Sequence, residues 1–311
     1  MKISVIVNNY NYEDYVIDAV LSAAQQTIPV DEIIVVDDCS SDRSAQRLQE
    51  KFSDSNTIKL VLKPQNEGQL AAFQTGFSAS TGDLICFLDA DDLYAPTYIE
   101  TIANFYQDHP ECEFLFTCAE VFGNENRIAS RYPCTRDLGY SKISTLYRRT
   151  WVGHRTSTLS MRRPVLDRMF PIPYLEDWRI RADDCLTYGA SIVGAHKFYL
   201  AIPLVKYRVH GNNGHYGRSK TRSSDYFQQY EQAIDRLFGF WVQKLNVPNH
   251  LDQFALEEFR SIPQPTREEF ETFKSLVRCA SLSKLRKAWM LMGVYWHFLS
   301  HRAATPTIDS E

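Results

Sequence analysis

Gly82-Asp83-Leu84-Ile85-Cys86-Phe87-Leu88-Asp89-Ala90-Asp91-Asp92-Leu93 is the stretch from which the rest of this chain is read. An apolar run leads into three carboxylates within four positions, the pattern of a buried strand whose carboxyl end delivers negative charge to one point. Carboxylates so crowded repel one another and call for a cation. Oxygen donors at a strand end suit a hard divalent ion, Mg²⁺ or Mn²⁺, that a phosphate can share. Taken alone, the same residues also read as a solvated acidic turn.

The flanking sequence favours the strand. Residues 3–7 form another short apolar run, followed by the turn-prone Asn8-Asn9-Tyr10-Asn11. Tyr15, Val16, Ala19, Val20 and Ala23 have helical spacing, and that helix ends before Pro29. Ile33 to Val36 reads as a second buried strand ending in Asp37-Asp38, with Ser40 or Ser41 capping a helix to about residue 52. Ile58 to Leu62, Leu70 to Phe77 and Leu84 to Leu88 continue the alternation, which predicts an α/β fold with a mostly parallel central sheet and helices on its faces. Ligands then bind beyond the carboxyl ends of the strands, where Tyr10, Asp38 and Asp91 gather. Neither Gly-x-x-x-x-Gly-Lys nor Gly-x-Gly-x-x-Gly occurs, which speaks against P-loop and dinucleotide-binding enzymes.

Four motifs in order, Ser4 to Asn11, Ile34 to Asp42, Asn66-Glu67-Gly68 and Leu88 to Asp92, resemble the nucleotide-sugar-binding half of the family 2 glycosyltransferases, enzymes of the Rossmann-like GT-A fold. The resemblance covers residues 1 to about 100 and reappears near 176 to 213. It implies that Tyr10 stacks on the base of a nucleoside-diphosphate sugar and that Asp38 accepts a hydrogen bond from it, with Asn8 and Gly68 in the same nucleotide-binding set. Asp91 is the expected metal ligand, and Asp89 is oriented toward the ribose or a metal-bound water. Asp92 stands behind them or caps the helix beginning near Pro96. Many relatives carry Pro-Thr or Pro-Val where this chain has Asn8-Asn9; a uridine donor is the expectation, with guanosine the alternative.

Further along, a helix is expected between Pro96 and Tyr106, a strand over Phe114 to Val121, variable loops near the acceptor over 123–150, a strand over Thr158 to Met161 and a helix from Arg162-Arg163-Pro164. His154 faces the acceptor or is an ordinary loop histidine. Transfer needs a base for the attacking hydroxyl, and carboxylates recur at Glu176-Asp177 and Asp183-Asp184. The resemblance places this acid upstream of a segment like Pro203 to Gly211. Asp183 and Asp184 both suit the spacing, Leu186 favours Asp183, and Glu176-Asp177 is held in reserve. Tyr207 to Asn213 alternates as a strand, with Arg208 and His210 on one face. By the resemblance His210 joins the metal or the leaving diphosphate; Arg208 neutralises phosphate charge or bridges the catalytic acids.

The remaining features concern organisation. Residues 1–220 are expected to form the catalytic domain, with a nucleotide-sugar half (1–110) and an acceptor half (111–220), and 221–311 a helical C-terminal region with a frayed end at 303–311. The last helix, Lys284 through Trp289, Trp296 and Phe298, mixes basic and aromatic residues and suits packing on the catalytic domain, a second copy of the chain or a membrane surface. Its apolar run, Ala288 to Leu299, is about 18 Å long, too short to span a bilayer core of about 30 Å. A net charge of −4 argues against a nucleic-acid partner. Seven scattered cysteines and a strand directly after Met1-Lys2 point to a cytoplasmic protein without a signal peptide, either free or resting on the inner face of the membrane. The expected reaction is metal-dependent sugar transfer to a hydroxyl of a saccharide, lipid-linked or protein acceptor, with inversion implied by the resemblance. Two alternatives are an inactive nucleotide-sugar-binding scaffold and a nucleotidyltransferase.

Overall fold

The computed structural model describes residues 1–211 and 224–301. The expected boundary at 220/221, the tail 303–311 and the end of the strand at Asn212-Asn213 lie outside them. The first half follows the expected alternation: β1 (Ile3–Asn9), α1 (Val16–Ala24), β2 (Glu32–Asp37), α2 (Ser44–Phe52), β3 (Ile58–Leu62), α3 (Gln69–Ala79) and β4 (Leu84–Asp89). The helix after β2 is not capped by Ser40 or Ser41. Asp42 accepts the Ser44 backbone N–H at 2.9 Å, while the Ser40 hydroxyl donates to Asp37.

Next come β5 (Leu93–Tyr94), α4 (Tyr98–Asp108), β6 (Phe114–Gly123), β7 (Arg127–Ala129), β8 (Arg136–Gly139), α5 (Lys142–Arg148), β9 (Leu159–Arg162), α6 (Arg163–Met169), α7 (Ala182–Ile192) and β10 (Lys197–Val209). The C-terminal helices are α8 (Ser224–Lys244), α9 (Ala255–Arg260), α10 (Arg267–Cys279) and α11 (Lys284–His301). The sheet runs β3-β2-β1-β4-β9-β6-β10-β5. It is parallel across its first four strands, and β9 then enters antiparallel between β4 and β6. The 123–150 stretch, expected as loops, carries β7, β8 and α5, short elements whose weak periodicity hid them.

Strand side chains alternate between two cores. Val5, Val7, Ile33, Val35, Cys86 and Leu88 pack with α1, α2 and α4 on one face. Ile6, Ile85 and Phe87 pack with α3, α6 and α7 on the other. Both faces are covered, which is why these strands read as continuous apolar runs. The helical C-terminal region is not one body. Ile234, Leu237, Phe238 and Trp241 of α8 belong to the second core, whereas α9, α10 and α11 build their own around Leu256, Phe259, Phe273 and Val294. Glu258 joins that bundle to α5 by accepting the backbone N–H groups of Ile143 (2.6 Å) and Ser144 (2.9 Å).

Candidate active site

The chain winds outward from β1 through β2 to β3, then returns to lay β4 on the other side of β1. This reversal opens a crevice beyond the carboxyl ends of β1 and β4. A cleft of about 1020 Å³ lies there. Its lining brings together Asn8, Tyr10, Asp38, Gly68, Asp89, Asp91, His154, Asp183 and Asp184, residues drawn from both halves of the chain.

Strand register builds the first wall. Asn8 sits beside Asp89 and Asn9 beside Asp37. Asn9 donates to Asp37 at 2.6 Å, so Asp37 braces the loop. Asp38 turns the other way and is buried. Lys63 reaches one of its oxygens at 2.6 Å, and the backbone N–H of Gly68 donates to the other at 2.6 Å. Tyr10 stands on the rim, 43% exposed. Gly68 has φ +93°, and a Cβ there would lie 2.4 Å from the Arg179 Cα, so only glycine lets the 175–181 segment close against α3.

Below the rim lies the acidic cluster. Burial, then the charge of Asp91, pushes Asp89 up to about 7; hydrogen bonds from Gln69, Asn8 and Thr156 oppose the rise. Asp92 is buried and does not cap α4. Its carboxylate accepts the Ser157 hydroxyl at 2.6 Å and the Arg208 backbone N–H at 2.9 Å, tying β4 to the loop before β9 and to β10. His210 Nε2 lies 3.1 Å from Asp91 Oδ2. Arg208 donates to the Asp91 carbonyl at 2.9 Å, its guanidinium against the rings of Tyr15 and Phe122. That position supports the cluster from behind and does not line the cleft.

Among the described residues no three His, Cys, Asp or Glu side chains converge on one point. The pair Asp91–His210 still fits a divalent ion of the kind that completes its shell with phosphate and water. Neighbouring ligands about 2.1 Å from one octahedral ion stand about 3 Å apart, close to the separation found here.

The opposite wall is the start of α7. Asp184 is buried, accepting Arg181 Nε at 2.7 Å and the Tyr230 hydroxyl at 2.9 Å. Asp183 is partly exposed to the cleft, and its carboxylate has no side-chain partner among the described residues; the Asp184 backbone N–H beside it donates to the Arg181 carbonyl at 3.1 Å. Burial first, then the Asp184 charge, pushes Asp183 up to about 8. Glu176 and Asp177 face away, paired with Arg179 and Arg236. His154 lies in the wall. Burial, then Arg155 and Arg131, pull it down to about 3, so it is neutral, with Nδ1 unpartnered.

Gln69 had no charge to draw attention to it, yet it links both walls. Its Nε2 donates to Asp89 at 2.8 Å, and its Oε1 accepts the Ala182 backbone N–H at 3.0 Å. Lys63 was discoverable as the residue after β3, facing Asp38 across parallel strands. Tyr230, on α8, carries no charge to mark it in the sequence; only packing brings its hydroxyl to Asp184.

This arrangement defines a GT-A-type transferase, and comparison with known proteins supports it. The model of Glycosyl transferase family 2 matches residues 4–170. An uncharacterised glycosyltransferase of Nostoc is 36% identical over 228 residues, 72% of this chain and 69% of that one. An Escherichia coli UDP-Glc:alpha-D-GlcNAc-diphosphoundecaprenol beta-1,3-glucosyltransferase, WfgD, is 29% identical over 57% of this chain and 66% of its own. Among solved structures, residues 1–349 of TarS from S. aureus, in complex with UDP-GlcNAc, share the fold with a TM-score of 0.59 at 19% identity, covering 96% of this chain and 89% of that one. The chain belongs to glycosyl transferase family 2.

Proposed function

We propose that this glycosyltransferase moves a sugar from a uridine diphosphate sugar to a saccharide hydroxyl with inversion at the anomeric carbon, and that Asp183 is the base. The observation that carries the reading is the Asp183 carboxyl, without a side-chain partner among the described residues and raised to about 8 on the cleft wall opposite the acidic cluster. A base titrating near the working pH combines a useful ionised fraction with proton affinity. Asp184 has the same charge, but its Oδ2 accepts from both Arg181 and Tyr230, which makes it the anchor of α7.

Tyr10 offers its ring to the uracil, and Asp38, held by Lys63 and Gly68, accepts from it. The uridine assignment draws on TarS, which holds UDP-GlcNAc in the same fold. Asp91 and His210 would hold Mn²⁺ or Mg²⁺, with Asp89 beside them. When bound, such an ion offsets charge on the departing diphosphate. Arg155 and Arg179, both in the lining, add positive charge. Trp151, Tyr188 and Tyr230 give the acceptor side rings on which a sugar can stack.

Calorimetry with UDP and GDP sugars, in Mn²⁺ and in chelator, tests the donor assignment. Wild type is expected to bind a UDP sugar in Mn²⁺ only, and Asp91→Ala to lose that binding. Equal binding by wild type and variant in both conditions overturns the metal assignment, and preference for GDP sugars overturns the uridine one.

A further inference from the structure

We propose that the outer face of α11 is a docking surface for an anionic lipid bilayer. Leu285, Trp289, Met292, Trp296 and Leu299 fall at steps of four, three, four and three residues, so they share one side of the helix. They are 86%, 54%, 64%, 71% and 64% exposed, an apolar stripe about 21 Å long. The opposite side is satisfied: Met290 and Val294 are buried in the C-terminal bundle, and a Cβ at Gly293 would lie 2.6 Å from the Leu256 side chain, so α11 sits tightly on α9. The stripe is therefore surplus to the core. Single exposed apolar residues are ordinary, but five in register with two tryptophans form an interaction surface.

Charge identifies the occupant. Between Glu271 and Asp309 the sequence has no acidic residue and six Lys or Arg. This segment carries +6 in a chain of net −4, so the remainder carries −10. Lys284, Arg286 and Arg278 are exposed at the amino-terminal end of the stripe, and the Lys287 ammonium donates to the Arg278 carbonyl. A basic end beside an apolar face with tryptophans matches a bilayer interface, with rings at the headgroup level and cations on anionic lipid. Pairing this face with a second copy would bring a second set of Arg278, Lys284 and Arg286 to the same surface, which opposes a dimer through it. No helix among the described residues is long and apolar enough to cross a membrane, so the contact is peripheral.

Flotation of the full chain with phosphatidylglycerol–phosphatidylcholine vesicles, against phosphatidylcholine alone, tests this without reference to catalysis. Binding is expected on the anionic vesicles, weakened by salt. Arg278→Gln/Lys284→Gln/Arg286→Gln should lower the partition coefficient roughly fivefold per cation, on the order of 100-fold together. Trp289→Ser and Trp296→Ser should each lower it roughly tenfold. All these positions are exposed, and unchanged circular dichroism melts confirm folding. No vesicle binding, or equal binding to both compositions, overturns the proposal. So does sedimentation showing a dimer that Trp289→Ser/Trp296→Ser dissociates while flotation is absent.

Discussion

Asp183→Asn and Asp184→Asn, one residue apart, should change stability in opposite directions. Asp183 rises from 3.8 to about 8 because its charged form is desolvated and stands beside Asp184. A carboxyl raised in the folded state detracts from stability above its unfolded value. The loss begins near pH 4, grows as pH rises and levels off above about 8. At pH 7 roughly three pH units at about 1.4 kcal/mol each set a ceiling near 4 kcal/mol. Water reaching the cleft wall reduces this to about 2 kcal/mol. Asparagine keeps the shape and removes the ionisation. Asp183→Asn should therefore melt about 3 °C above wild type at pH 7 and level with it at pH 4, while turnover falls by about 10²- to 10⁴-fold. Burial raises Asp184 above the usual carboxylate range as well, but Asp184→Asn leaves the Arg181 guanidinium, whose side chain is 24% exposed, without its ionic partner, and that loss outweighs the relief, for a net cost of about 2 kcal/mol. Thermal melts across pH, with UDP release as the activity readout, decide the matter. If Asp184→Asn is the stabilised variant, or both variants lose stability and turnover alike, the assignment of base and anchor is wrong.

Two other expectations concern how the walls are held together. Gly68→Ala places a Cβ against the Arg179 backbone at an unfavourable φ, and should cost about 3 kcal/mol in denaturant unfolding and weaken donor binding in calorimetry. Gln69→Leu removes the hydrogen bonds to Asp89 and to Ala182 N–H, each worth about 1 kcal/mol. It should lower kcat about tenfold with donor affinity nearly unchanged, and an unchanged kcat would mean the link has no part in turnover.

The first half of the fold was legible because doubly buried parallel strands write themselves as short apolar runs, and carboxylates at their ends are conspicuous. Tyr10, Asp38, Asp89 and Asp91 could be picked out on that basis, and Gly68 through the family resemblance. The reversal of strand order between β3 and β4 then brings them to one crevice. The antiparallel insertion of β9 had no such signature, since a four-residue strand is too short for its pattern to state direction. Nor could spacing show that α8 joins the catalytic core while α9 to α11 form another, because a helical stripe declares that it is buried but not against what.

The sequence by itself determined the elements of the first half, the family and the set of acidic residues available for chemistry, since these depend on local pattern and residue type. Only the tertiary structure decided which partners those residues meet. Asp183 and Asp184 are chemically identical, adjacent and both in the cleft lining, and they part because the fold brings Arg181 and Tyr230 to Asp184 and no side-chain partner among the described residues to Asp183. Gln69 acquires its place in the same way, through contacts 20 and 113 residues distant along the chain, to Asp89 and to Ala182. Burial and neighbouring charge act through space, so they set a proton affinity only after the chain has closed.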